Sequence, residues 1–206
     1  MKRLTVLIDN GHGENTPGKR SPELFTGGRL LEWEYTRAIA LRAAANADTF
    51  GVKVVLVAPE MNDTPLRERA KRVNDYIKEH TNEHCVLFSI HGNAAGDGKE
   101  WKSARGFEAW TTPGQNNSDK LATALYEQVG RYLPGVRLRT DKSDGDPDKE
   151  ARFTILQLAN CPAVLSECLF YDNREDVAMM MSENIQNLFA VAHLAAAINY
   201  FSNLRK

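Results

Sequence analysis

Short apolar runs rich in β-branched residues alternate along this chain with longer stretches of helical period. Residues 4–9 (LTVLID) form the first run, which ends in the loop Asn10-Gly11-His12-Gly13. A polar segment rich in Pro and Gly, 14–28, leads into a helical stretch from about Leu30 to Asp48 with a dense Ala portion. Residues 52–58 read as a second strand. Thr64 followed by Pro65 predicts an N-cap and a first helical position, opening a helix to about His80. Residues 85–90 (CVLFSI) read as a buried strand ending at His91-Gly92-Asn93, and 106–111 alternate as a strand does. A helix follows over 117–132, then a short strand at 136–140 and the acidic turn Asp144-Gly145-Asp146-Pro147-Asp148. A short helix near 150–159 leads through Pro162 to a strand at 163–167. Asn173 predicts the cap of a helix whose first turn carries Glu175 and Asp176, the sign that the helix dipole favours. A last helix spans about 183–201.

Strands interleaved with helices, with no repeat and no linker long enough to separate a second domain, predict one α/β domain over 1–206. Its sheet is expected to be twisted and mostly parallel, with helices on both faces. At 206 residues, 42% of them hydrophobic, such a domain buries a core without metal or disulfide staples. The formal charge of −1, from 26 basic and 27 acidic residues, argues against a nucleic-acid partner. Three cysteines, Cys85, Cys161 and Cys168, have no framework spacing, so a disulfide scaffold is not expected. The chain opens with two basic residues, Lys2 and Arg3, but the apolar run behind them is too short for a secretory leader. No stretch approaches the roughly 20 apolar residues of a membrane span. Synthesis in the cytoplasm and no membrane partner are the corresponding expectations.

The candidate chemistry lies where strands end. His12, His91 and Glu167 each stand at the carboxyl end of a predicted strand, and in open α/β sheets ligands bind beyond those ends. If the three strands run parallel, both histidines and the glutamate converge on one edge. A lone histidine after a strand is more often a loop residue, but two of them, each followed by Gly, make a metal role credible. A carboxylate just after the run Ala163-Val164-Leu165-Ser166 is poorly solvated and needs a partner or a task. An open three-ligand zinc site needs one donor more than the two histidines, and the early helix offers Glu32 and Glu34. Spacing does not choose between them: Glu32 shares a face with Tyr35 and Ile39, Glu34 with Ala38 and Leu41. His80 and His84 flank a polar turn and are expected to face water, whereas His193, among Ala and Val, is expected to be a core or half-buried histidine. A competing hydrolase would use Cys168 or Cys85 as nucleophile with His91 as base, but a buried strand raises a thiol's pKa.

The motifs IDNGHG (8–13), the acid within LLEWEYTRAIA (30–40), SIHGNA (89–94) and PAVLSECLFYDN (162–173), in this order over nearly the whole chain, resemble the zinc-dependent N-acetylmuramoyl-L-alanine amidases of the amidase-3 type. Within that family the chain is similar to stand-alone amidases of phages and prophages of gut Bacteroidetes. The resemblance implies Zn²⁺ held by His12, His91 and Glu32, with Glu34 as the fallback ligand, and Glu167 as the catalytic glutamate. It implies peptidoglycan as the partner, handled by the loops 14–28, 93–103 and 145–152; the sequence does not give the oligomeric state, and a monomer is the expectation. Asn10 stands where the family often has Pro, and Cys168-Leu169 replaces a small-residue continuation. No segment matches the blocking helix of regulated members, which implies a constitutively open site. A wall substrate stands against the lack of a leader; an endolysin released through membrane holes made by a separate protein would reconcile the two, and so would a leader missing from this sequence.

Overall fold

The computed structural model describes residues 3–204, so Lys2 of the basic opening lies outside it. The parallel portion of the sheet is built from β1 (Arg3–Asn10), β2 (Lys53–Leu56), β3 (Glu83–Asn93) and β6 (Ala163–Phe170), numbered in chain order with β4 (Phe107–Thr111) and β5 (Lys149–Glu150) between. Their order across the sheet is β2-β1-β3-β6-β4-β5. β4 runs antiparallel to β6, and the two-residue β5 runs parallel to β4. The expected mostly parallel sheet is therefore present, with an inverted outer pair.

Alternation in the strands distributes the core between two faces. Val6 and Ile8 of β1, with Val86, Phe88 and Ile90 of β3, meet α1 (Glu32–Asn46), α3 (Asn117–Tyr132) and α6 (Glu183–Asn203) through Ile39, Leu125 and Leu194. Leu7, Leu87 and Leu165 face the other way, onto Val73 of α2 (Leu66–Glu79) and Ile155 of α4 (Thr154–Leu158). Buried Ala190, Ala196 and Ala197 keep α6 slim where it packs on its neighbours. α5 (Arg174–Met180) opens as expected, with Asn173 Oδ1 accepting from the N–H groups of Glu175 (3.0 Å) and Asp176 (3.1 Å).

Several boundaries differ from the sequence reading. α2 begins one residue late: Pro65 occupies the N-cap position and the Thr64 hydroxyl donates to Glu60 instead. α1 starts at Glu32, behind an uncapped Leu31. Residues 136–140 form no strand, only a bridge from Leu138 to Phe107 with backbone bonds either side of it, and 149–150 are a strand rather than the start of a helix. β3 and β6 both continue past the expected ends, so His91 and Glu167 lie inside strands and pair with each other in register. The register then slips: Asn93 pairs with Phe170, so β6 carries one extra residue there, with Leu169 at φ 75. A bulge of this kind bends the strand and re-aims its side chains.

Candidate metal centre

After β1 the chain turns through Gly11-His12-Gly13, and His12 takes a left-handed backbone with φ 66. That conformation is unfavourable for a residue with a Cβ, so its surroundings must hold it. Arg69 of α2 does much of this. Its guanidinium donates to Asp9 Oδ1 (2.5 Å), to the carbonyls of Asn10 (2.7 Å) and His12 (3.3 Å), to Asp63 (2.7 Å) and to the carbonyl of Thr64 (2.6 Å). Ser89 donates to the other Asp9 oxygen (2.7 Å), and Thr36 of α1 donates to the Gly11 carbonyl (3.0 Å). The His91 ring lies directly over Gly11, where a Cβ would overlap it.

Glu32 enters as the first residue of α1, at the end whose dipole favours an anion. Its Oε1 accepts from His91 Nδ1 (3.1 Å) and from the Gly92 N–H (3.1 Å), and lies 3.4 Å from His12 Nε2. The two imidazoles meet edge to face, with centroids 5.0 Å apart. One donor atom from each of His12, Glu32 and His91 lies within 4.8 Å of the others. Glu34, the other acid of the early helix, is exposed and lines a neighbouring groove with Leu24, Arg29 and Met181. Glu167 sits beside His91 on β6, half-buried, with Glu108 of β4 as its other cross-strand neighbour.

The electrostatics follow from burial and mutual charge. Burial lowers His12 to about 4 despite the pull of Glu32. Burial also works against charge on His91, but the hydrogen bond and charge of Glu32, with Glu167 and Asp9 behind, raise it on balance. Burial pushes the Glu32 carboxyl up, and His91, His12 and Lys19 more than reverse this, so it stays below the usual carboxylate range. Glu167 is pushed up to about 7 by burial, with His91 opposing and the charge of Glu32 adding to it.

Two imidazoles and a carboxylate suit zinc, a borderline-soft ion that takes nitrogen and oxygen donors. One further observation fits an ion here: Glu32 Oε2 is buried and accepts no hydrogen bond, as is Glu167 Oε2. Buried carboxylate oxygens left without a donor are costly unless a cation or proton is shared between them.

The remaining candidates fall elsewhere. His193 is fully buried between Ser166 and the Phe189 carbonyl, while His80 stacks on Tyr76 and His84 is exposed against the Phe201 ring. The cysteines are free, and burial drives the Cys85 thiol up to about 11 and that of Cys168 higher still, which opposes a thiolate nucleophile. Arg69, Asp9 and Thr36 are site residues that the sequence reading missed. An arginine on the apolar stripe of α2, in line with Val73 and Ile77, and an aspartate ending an apolar strand were the available signals. Of the loops assigned to substrate, 14–28 reaches the centre through Lys19, whose carbonyl accepts from the Glu32 N–H, and 93–103 packs on it where Gly98 meets the Arg20 carbonyl.

Fold and centre together define an α/β protein with a His, Glu, His donor cluster at the carboxyl edge of its parallel strands. The family described as N-acetylmuramoyl-L-alanine amidase (Amidase_3) matches residues 6–199, and the chain belongs to it. It is 29% identical over 208 residues to an endolysin of Bacillus phage SPP1, covering 100% of this chain and 68% of that protein. It is 26% identical over 205 residues to a sporulation-specific N-acetylmuramoyl-L-alanine amidase of Bacillus subtilis (strain 168), covering 98% and 70%. Among solved structures, the N-acetylmuramoyl-L-alanine amidase of Clostridium difficile 630 superposes with a TM-score of 0.80 at 25% identity, covering 98% of each chain. Another, from Nostoc punctiforme, gives 0.76 at 26% identity over 97% of each.

Proposed function

We propose that the chain is a zinc-dependent amidase that cleaves the bond between the lactyl group of N-acetylmuramic acid and L-alanine in peptidoglycan, with residues 1–206 as one catalytic domain. The observation that carries it is the convergence of His12, Glu32 and His91 beside Glu167, in a chain of this family. His12, Glu32 and His91 would hold the ion, and Glu34, turned to another groove, would not. When bound, zinc supplies Lewis acidity, which draws charge from a carbonyl and acidifies water. Glu167 takes the proton of the attacking water and returns it to the departing alanine amine. Burial raises its pKa above the ordinary carboxylate range, the direction that a group acting first as base and then as acid needs. Arg69 and Thr36 fix the His12 loop, so the imidazole needs little reorganisation during turnover. Loops 14–28 and 93–103 flank the centre and are placed to meet glycan and stem peptide.

The similarity to an endolysin and the resemblance to phage amidases of gut Bacteroidetes support action on the wall after release by a separate membrane-opening protein. No helix of the described residues is long and apolar enough to cross a membrane. The test measures zinc content and dye release from purified peptidoglycan for the wild type beside Glu167→Gln. One zinc per chain, turnover lost only in the variant, and products carrying a free lactyl carboxylate and a free alanine amine are expected. An active wild type without zinc contradicts the metal assignment. Zinc without turnover in either protein makes this a binding module, and cleavage elsewhere in the stem makes it another peptidase.

A further inference from the structure

Away from the His and Glu cluster, β4 ends at Thr111, the cap of α3 follows, and the chain returns past Asp146 and Asp148 before β5. Trp110 pairs with Leu165, which puts Thr111 toward the amino-terminal end of β6, away from the edge that carries His91. One carboxylate oxygen from each of Asp119, Asp146 and Asp148 lies within 4.8 Å of the other two. Asp119 is 5% exposed and Asp148 2%.

Each carboxylate is satisfied on one side only. Oδ2 of Asp148 accepts from the Thr111 hydroxyl (2.6 Å), Oδ2 of Asp146 from the Gln115 amide (2.8 Å), and Oδ2 of Asp119 from the Asn116 N–H as half of the α3 capping box. Oδ1 of all three is buried and accepts nothing. The nearby cations do not help, because Arg139 and Lys149 both pair with Glu108. Glu150, next along the chain, adds a further negative charge while accepting from the Gly114 N–H (2.7 Å).

Three carboxylates so crowded and so dry cannot all keep their charge without a counter-ion. A proton shared between Asp146 and Asp148 would remove one charge but leave the buried Asp119 Oδ1 without a donor. We propose that Asp119, Asp146 and Asp148 bind a calcium ion that ties the 141–148 loop to the start of α3 and the end of β4. All the donors are hard oxygens with no imidazole or thiolate among them, which separates this cluster from the zinc ligands. Calcium is favoured over magnesium because magnesium keeps most of its water and rarely enters a site made of buried protein carboxylates. The role is structural: the ion fastens an outer strand pair that otherwise has only the two-residue β5 at its margin.

The test titrates Ca²⁺, and separately Mg²⁺, into the zinc-loaded full chain, following heat of binding and Tm. One Ca²⁺ per chain is expected with Kd below about 1 mM, as in extracellular calcium modules, and at ten times Kd a Tm rise of about 3–5 °C. Asp146→Asn and Asp148→Asn should each lose the Ca²⁺ response while keeping zinc. Three results overturn the proposal: no saturable Ca²⁺ binding by the wild type, equal affinity for Mg²⁺, or Ca²⁺ binding that survives both substitutions. Because the wild-type titration stands alone, a variant that fails to fold does not shield the idea.

Discussion

Two residues outside the donor cluster decide whether the proposed zinc ligands His12, Glu32 and His91 can meet. Gly11 is glycine because the His91 ring occupies the place of its Cβ. Gly11→Ala should push that ring off Glu32 and lower zinc occupancy several-fold, with the far-UV spectrum unchanged; full zinc in the purified variant would show that the ring can shift without cost. Arg69 is a fully buried cation on an otherwise apolar helix face, and it neutralises Asp9, which is also fully buried. Arg69→Met keeps the volume but strands the Asp9 charge, a change that costs about 3–5 kcal/mol when a buried pair is broken. For a domain of this size that corresponds to a Tm drop of roughly 6–20 °C. The double variant Asp9→Asn with Arg69→Met should recover much of the loss, since no charge is then left unpaired. Additive losses in that cycle would mean that Arg69 acts through its other four contacts rather than through Asp9.

At the scale of elements, β6 and α6 are joined by a histidine that must stay neutral. The Ser166 hydroxyl and the Phe189 carbonyl occupy the two nitrogens of His193 at 2.9 and 2.7 Å, and burial lowers its pKa from 6.5 to about 4. A histidine depressed in this way binds protons more readily when unfolded. Its contribution is therefore complete above pH 6.5 and is lost as pH falls toward 4, by about 3 kcal/mol in all. Urea midpoints measured from pH 7 to 4 should fall more steeply for the wild type than for His193→Asn; parallel curves would place the acid sensitivity elsewhere. What the sequence revealed about these elements depended on where their signals reside. The cap of α5 and the apolar strands are local, and they were legible. β5 and the bridge at Leu138 exist only through backbone bonds to β4, which no local pattern announces. The centre divides in the same way. His12, His91 and Glu167 declared themselves by strand position, whereas the choice of Glu32 over Glu34 depends on how α1 meets β3. That is a tertiary fact, and the helical period is silent on it.

Seen as a whole molecule, the centre is a seam, drawing residues 12, 32, 91 and 167 from the loop after β1, α1, β3 and β6 onto one sheet edge. An ion held there binds the folded chain and not the unfolded one. Zinc at 100 times its Kd should thus add about 2.7 kcal/mol, and its removal should lower Tm by roughly 5–11 °C, restored on adding zinc back. The metal-free protein should also carry a signature of Glu167. With a folded pKa of about 7 against an unfolded 4.5, this group binds protons more readily when folded. Its contribution is complete below pH 4.5 and is lost as pH rises through 7. Metal-free wild type should therefore lose stability across that window, and Glu167→Gln, with no charge to bury, should not. A cation beside Glu32 compensates the Glu167 charge, so zinc should flatten the wild-type curve toward that of the variant. Chemical-denaturation midpoints of both proteins, with and without zinc, at pH 5 and 7.5 would decide it. A variant no more stable than the wild type at pH 7.5 without metal would mean that Glu167 is solvated in the free protein, and that the base proposed here is poised only once substrate closes over it.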